Sequence, residues 1–396
     1  MASASILTLE PIERGGVPAL TRTVYDLLAL AGHRPQLIYR ATDEVPTSSR
    51  RAALKYLLTT PPVRHTVKED MRSIAVVDYP APPRYQYHLP WLAGAALAAP
   101  IAAVVSGSSH VGLPLALARR PYVLWVATVY ADELQGRADA GDPWAAKFMR
   151  GSDWPILEQQ EGLVYERAGV VLGLSPHTTA QIARRWPAVR GKLRTVFYPA
   201  DTDRFQPGDC PADPPYLLLT ARIRDPRKNV ALLLRAYARV HAAFPSVRLI
   251  IAGDTPTSEM ESLAAELGLR QSVTFTGHVS TAELVRLYQR ATMFVFSSLQ
   301  EGLGISVQDA MACGLPVVST RCGGPEGLVQ HGVTGLLVPN NDEAALAQAV
   351  SELLARPERA RAMGAAARSR TLQEFARSRV EAQLRAAFKE VYPHDF

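Results

Sequence analysis

Cysteine is scarce. The three present, Cys210, Cys313 and Cys322, are odd in number and fall into no Cys-x-x-Cys or Cys/His spacing. That excludes a disulfide-stapled scaffold and a zinc-binding module, and it points to a reducing cytoplasmic setting. Long apolar runs are lacking too. The longest, 91–105, falls short of the ~20 residues a spanning helix needs, and Pro100 interrupts it. Residues 1–8 have no basic region or small-residue cleavage site, so they read as a first strand rather than a targeting segment, and the chain is expected to be soluble. Charge of one sign is nearly balanced, 43 Lys and Arg against 37 Asp and Glu, a net +6. Because the basic residues are dispersed among acids, nucleic acid is not an expected partner, while the small excess suits an anionic ligand.

What is present is ordinary globular material. The chain has 396 residues, 47% hydrophobic and 20% charged. At ~150 residues per domain this favours two α/β domains. Short apolar runs alternate with stretches of helical period, the pattern of parallel sheets covered by helices. Strands are expected at 5–9, 36–39, 73–77, 101–106, 122–127 and 170–174, and again at 216–220, 247–252, 273–276, 293–296, 317–319 and 335–338. Pro199, Pro207, Pro211, Pro214 and Pro215 mark 199–215 as a linker. The expected organisation is therefore two doubly wound, Rossmann-like domains, 1–198 and 216–375, with 376–396 a helical tail reaching back to the first. The whole tail from Glu343 is rich in Ala, Leu, Glu and Arg at amphipathic spacing.

In such sheets ligands bind beyond the carboxyl ends of strands, where loop amides and helix N-termini converge. Three segments stand at such ends. Gly15-Gly16 follows the first strand; it suits close approach of backbone to a phosphate or sugar oxygen, or is a plain strand-to-helix loop. Arg222-Ile223-Arg224-Asp225-Pro226-Arg227-Lys228-Asn229 crowds four cations at a helix entrance, which suits a diphosphate. The third is Ser297-Ser298-Leu299-Gln300-Glu301-Gly302-Leu303-Gly304-Ile305-Ser306-Val307-Gln308-Asp309-Ala310-Met311-Ala312-Cys313-Gly314. There an acid at the loop mouth, two glycines, a short helix and a second acid would let two carboxylates grip different hydroxyls of one ligand.

This third segment resembles the E-x7-E region of retaining, nucleotide-sugar-dependent glycosyltransferases with the GT-B fold. Gly15-Gly16, Arg222 with Lys228, Phe275-Thr276-Gly277, Gly323-Gly324-Pro325-Glu326, Thr334-Gly335-Leu336-Leu337-Val338 and the stretch 196–207 agree with that family in order. The resemblance is specific over the C-terminal half and loose over the N-terminal half. It implies two domains facing across a cleft, with the acceptor on the first and the donor on the second. Arg222 and Lys228 would bind the diphosphate and stabilise the leaving nucleotide. Glu301 would hold the transferred sugar, with Gly302, Leu303, Gly304, Ile305 and Ser306 offering amides to sugar and phosphate. Asp309 would hold the ribose, Gly277 and Val279 would meet the base, and Gly15 and Gly16 would approach the diphosphate.

Two departures from the family pattern matter. Asp309 stands where the family usually has Glu, and the strand 123–127 ends without the family's frequent His. His110, after the preceding strand, is the nearest substitute, as a catalytic group or as a structural histidine; Asp132 and Glu133 are weaker candidates for sugar contacts. The resemblance implies transfer with retention of configuration, the leaving phosphate helping to deprotonate the acceptor, with no cofactor beyond the nucleotide diphosphate sugar as co-substrate. No metal site is expected, since Asp201-Thr202-Asp203 falls in the linker. The donor is expected to be a UDP-sugar, with GDP-mannose as the alternative; the acceptor is a sugar, a lipid-linked group or a small molecule. The basic, apolar segment 50–58 reads either as a contact with the inner face of an anionic membrane or as a helix packed on its own domain. A phosphorylase or epimerase on the same fold, or a non-catalytic sugar-nucleotide-binding partner subunit, are the alternative functions.

Overall fold

The computed structural model describes residues 2–9, 16–41, 63–68, 70–77, 99–209 and 212–396. Gly15, segment 50–58, the start of the apolar run 91–105 and Cys210 lie outside them. The chain forms two compact units. The first comprises Met1–Leu134, Trp144–Phe197 and Val380–Phe396; the second comprises Gln135–Pro143 and Tyr198–Arg379.

In the first unit the strands are β1 (Ser3–Thr8), β2 (Arg34–Ala41), β3 (Val63–Lys68), β4 (Met71–Val77), β5 (Ile101–Ser106), β6 (Val123–Val126), β7 (Val170–Gly173) and β8 (Leu193–Thr195). They form one sheet in the order β3-β4-β2-β1-β5-β6-β7-β8, parallel except for the β3–β4 pair. The central strands read Ile-Ala-Ala-Val-Val-Ser and Val-Leu-Trp-Val, apolar at consecutive positions because helices bury both faces of a parallel sheet. Leu7, Ile38, Val104, Leu124, Val171 and Ile182 meet in its core.

Two strands depart from expectation. β3 is an antiparallel edge strand whose Val67 is largely exposed, and β8 is three partly polar residues; neither carries the apolar run that marks a buried strand. The last segment belongs to this unit. The Tyr392 hydroxyl accepts from the Ala102 N–H at 2.9 Å and lies 2.7 Å from the Pro121 carbonyl, its acceptor, while Gly169 leaves room for Val391.

The second unit holds β9 (Tyr216–Ala221), β10 (Arg248–Gly253), β11 (Val273–Gly277), β12 (Met293–Phe296), β13 (Val317–Thr320) and β14 (Gly335–Val338), all parallel, in the order β11-β10-β9-β12-β13-β14. The helix Val230–Ala243 is capped by Asn229, whose side chain accepts from the Leu232 N–H, and helix Glu343–Leu354 by Asp342 in the same way. Helix Pro357–Glu374 lies close against the loop before β13: a Cβ on Gly364 would stand 2.1 Å from the Gly314 carbonyl oxygen. Among the described residues, no helix is long and apolar enough to cross a membrane.

Candidate functional site

The strand order of the second unit reverses between β9 and β12, because the chain runs outward from β9 through β10 to β11 and then returns to the other side of β9. Such a reversal is the place where ligands bind in sheets of this kind. The loop after β9 carries Lys228 and the loop after β12 carries Glu301. Lys228 donates from Nζ to Glu301 Oε1, and the Ser298 hydroxyl donates to the same oxygen at 3.0 Å. Only 11% of the lysine side chain and 14% of the glutamate side chain are exposed, so the pair is largely withdrawn from water. The Lys228 ammonium also stands 5.7 Å from the Phe296 ring centroid.

A buried arginine locks the two loops together. Arg227, 7% exposed, holds Asp225 through Nε and Nη2 and donates from Nη1 to Gln300 Oε1 at 2.9 Å; its carbonyl accepts from the Leu299 N–H at 2.7 Å. Burial raises the Asp225 carboxyl, but hydrogen bonds and charge from Arg227 more than reverse this and hold it at about 2. Ser297 adds a hydrogen bond to the Lys228 carbonyl at 2.9 Å.

The glycine-rich stretch is shaped by close approach. Gly304 has φ +89° and caps helix Ile305–Ala312, whose first amides lack intrahelical partners. Backbone hydrogen bonds tie Glu301 to Cys322 and Gly324, and a Cβ on Gly324 would sit 2.3 Å from Leu303 backbone atoms. Gly302, Leu303, Gly304, Ile305 and Ser306 therefore form one braced turn after Glu301, with Leu303 buried. Asp309 lies on the following helix. Burial, and then the like charge of Asp201, push its carboxyl up to about 8, partly offset by Arg204. At the ends of β10 and β11 stand Gly253, Gly277 and then Val279; His278 there lies 3.5 Å from Asp254.

The structure thus brings Lys228 and Glu301 into contact and places the glycine turn beside them. Arg222 does not join them: its side chain is 76% exposed and lies 3.9 Å from Asp225. Arg227, Asp225, Gln300 and Ser298 escape the sequence reading. The one signal for them is the density of charge in 222–228, which does not say which cation turns inward.

The first unit has its own reversal, between β1 and β5. Gly16 opens the helix Gly16–Leu30 that follows β1. The loop after β5 carries His110, which is 2% exposed. Nε2–H donates to the Leu157 carbonyl at 2.8 Å and Nδ1 accepts from the Ser108 hydroxyl at 2.8 Å. Burial lowers its pKa to about 4, so the imidazole is neutral. With both nitrogens engaged, His110 orders this loop and presents no free nitrogen. Beside it Glu161 is fully buried. Its Oε1 accepts from Tyr165 and Tyr130 at 3.1 Å and from Ser109 at 3.4 Å; Oε2 has no partner among the described residues, and burial raises the carboxyl to about 7.

Two switch-point α/β units define a GT-B fold, and solved structures agree. Sucrose-phosphate synthase from Thermosynechococcus elongatus is similar over 99% of this chain and 100% of its own, with a TM-score of 0.76 at 22% identity. HepE of Anabaena in complex with UDP and glucose is similar over 97% and 99%, with a TM-score of 0.71 at 18% identity.

The chain belongs to the family described as glycosyl transferases group 1, whose model matches residues 201–370. It is 32% identical over 275 residues to the alpha-maltose-1-phosphate synthase of Mycolicibacterium smegmatis, covering 63% of this chain and 70% of that protein. It is 36% identical over 226 residues to the GDP-mannose-dependent alpha-(1-6)-phosphatidylinositol monomannoside mannosyltransferase of the same organism, covering 52% and 59%. A third relative, D-inositol 3-phosphate glycosyltransferase 2 of Catenulispora acidiphila, is 33% identical over 50% of this chain and 51% of its own. The match thus spans between half and 70% of the length of these relatives.

Proposed function

We propose that this protein is a retaining glycosyltransferase that moves a hexose or related sugar from a nucleotide diphosphate sugar to an acceptor hydroxyl. The observation that carries this reading is the withdrawn Lys228–Glu301 pair at the β9/β12 reversal, beside a braced glycine turn. Lys228 supplies a preorganised charge for the departing diphosphate, and Arg222, free to swing in from solvent, supplies a second. Glu301 accepts from sugar hydroxyls, and the amides at the start of helix Ile305–Ala312 suit a phosphate or sugar oxygen. Asp309 is the ribose contact, and Gly277 and Val279 meet the base. Gly15 and Gly16 are proposed as diphosphate-binding residues. Because His110 has no free nitrogen, the leaving phosphate itself serves as the base for the acceptor hydroxyl, with attack from the face it leaves.

The donor in this reading is a UDP-hexose. GDP-mannose is the second reading, supported by the GDP-mannose-dependent mannosyltransferase among the relatives. A thermal-shift series with UDP, GDP, ADP and their sugar conjugates decides between them, since a ligand at 100 times its dissociation constant stabilises by ~2.7 kcal/mol. The expected result is a shift selective for one nucleotide and lost in Lys228→Ala, followed by a product whose anomeric proton coupling matches that of the donor. No shift with any nucleotide, or a product of inverted configuration, overturns the reading.

A further inference from the structure

In the first unit a row of aromatic rings leads outward from the loop that holds His110. Tyr130 meets His110 edge-on with centroids 5.4 Å apart, Trp154 lies 6.1 Å from Tyr130, and Phe148 lies 6.4 Å from Trp154. Trp144 then stacks on Phe148 with centroids 5.0 Å apart and planes within 16°. Trp144 and Phe148 are four residues apart on helix Pro143–Met149, so they lie one above the other on one helix face. The inward anchor of that helix is Ala145, which is fully buried, whereas Trp144 keeps 55% of its surface exposed. An indole that exposed contributes little to packing in proportion to its size.

Charged groups border the row. Tyr130 opens a helix with Asp132 and Glu133 in its first turn. Glu158 stands one turn beyond Trp154 on helix Trp154–Arg167, and Arg185 bridges Asp132 at 2.8 Å and Glu158 at 3.3 Å. The exposed Trp144 indole, at the end of a row bordered by carboxylates and a guanidinium, matches the two chemistries of a sugar ring, an apolar C–H face and a rim of hydroxyls.

We propose that Trp144 and Phe148, with Trp154 and Tyr130 behind them, form a stacking platform for a carbohydrate ring of the acceptor. The inference rests on the glycosyltransferase reading and names the chemical class of the acceptor end: a glycoside or saccharide presenting a ring face, not an acyl chain or a peptide. The exposed indole of Trp144 binds the ring, with Phe148 stacked behind it; the Asp132–Arg185–Glu158 network, at the Tyr130–Trp154 end of the row, supplies polar partners to the remainder of the acceptor.

The test uses the full chain labelled with 5-fluorotryptophan, with the Trp144 resonance assigned through Trp144→Phe. Maltose and methyl α-mannopyranoside are titrated at millimolar concentration. The expected result is saturable movement of the Trp144 resonance by at least one of them. Trp144→Ala should weaken that saccharide roughly tenfold or more, while Trp144→Phe, which keeps a flat ring, retains most of the affinity. No movement with either saccharide, or equal affinity in Trp144→Ala, overturns the proposal, as does Trp144-dependent sedimentation with phosphatidylglycerol vesicles. Nucleotide thermal shifts run in parallel separate the two readings. Nucleotide binding without saccharide binding defeats the platform alone, and saccharide binding without nucleotide binding defeats the donor reading and leaves the platform standing.

Discussion

Arg227 donates to Gln300 across the two loops that leave β9 and β12, and by doing so it fixes the distance between the neighbouring residues Lys228 and Glu301. The consecutive positions are used in different ways: Arg227 is spent on Asp225 and Gln300, while Lys228 reaches Glu301. A loop with four cations thereby becomes a rigid mount for one of them.

Removing that mount has a definite pH signature. Arg227→Ala leaves the Asp225 carboxylate buried without its partner, a loss expected to cost about 3 kcal/mol or more near neutral pH. In the wild type, Asp225 at about 2 instead of 3.8 stabilises the fold above about pH 4, and that stability is lost as pH falls through about 2. The stability gap between variant and wild type should therefore narrow on acidification. Denaturant unfolding across acid pH checks this, and a gap independent of pH would count against it.

Lys228 and Glu301 should separate on substitution. Lys228→Ala is expected to lower turnover by on the order of 100-fold, the loss of one preorganised charge at the leaving group. Glu301→Gln keeps an acceptor but strips the partner from a lysine with 11% of its side chain exposed, costing roughly 1–3 kcal/mol of stability as well as turnover. Steady-state kinetics beside melting curves tests the pair; near-wild-type turnover in a folded Lys228→Ala removes the lysine from the mechanism.

Glu161 predicts a second pH dependence. Its carboxyl is raised from 4.5 to about 7, so the contribution of the protonated form is fully present below about pH 4.5 and lost as pH rises through about 7, a change of about 3 kcal/mol. Glu161→Gln, neutral throughout, should show a flatter profile over that window. Equal slopes in the two proteins would show that the carboxyl is not raised.

Asp309 behaves in the same sense at higher pH. The neutral carboxyl's contribution is fully present below about pH 4 and lost as pH rises through about 8, so Asp309→Asn should match the wild type in melting temperature near pH 4 and become progressively the more stable of the two up to about pH 8. A variant less stable at every pH would show that the native side chain is ionised.

Gly364 tests packing away from either site. Gly364→Ala drives a methyl into the Gly314 carbonyl oxygen, and backbone cannot swing aside as a side chain can. A loss of roughly 1–3 kcal/mol is expected, with nucleotide affinity unchanged in the folded fraction. An unaltered melting temperature would mean that helix Pro357–Glu374 shifts freely.

Much of this was legible because parallel strands buried on both faces write themselves as apolar runs, as in Met293–Phe296 and Val170–Gly173. The edge strands Val63–Lys68 and Leu193–Thr195 were not, since an edge with one wet face needs neither a run nor length. At the site, Glu301 and Lys228 could be named from their order along the chain. That Arg227 is buried while Arg222 is exposed could not, because two arginines five residues apart in one loop have the same chemistry until Asp225 and Gln300 are placed.

The sequence by itself determined the class of architecture, the family likeness and which glycines and charges fall in the loops at strand ends, because apolar period, glycine positions and charge at strand ends are local properties of the chain. Only the tertiary structure decided which of those side chains meet. The partner of Lys228 lies 73 residues away, His110 is closed by a carbonyl 47 residues away, and Tyr392 bonds to a strand 290 residues earlier. Contacts at such separations arise when strands fall side by side in a sheet, and the order in which they do so is fixed by the packing of the whole unit.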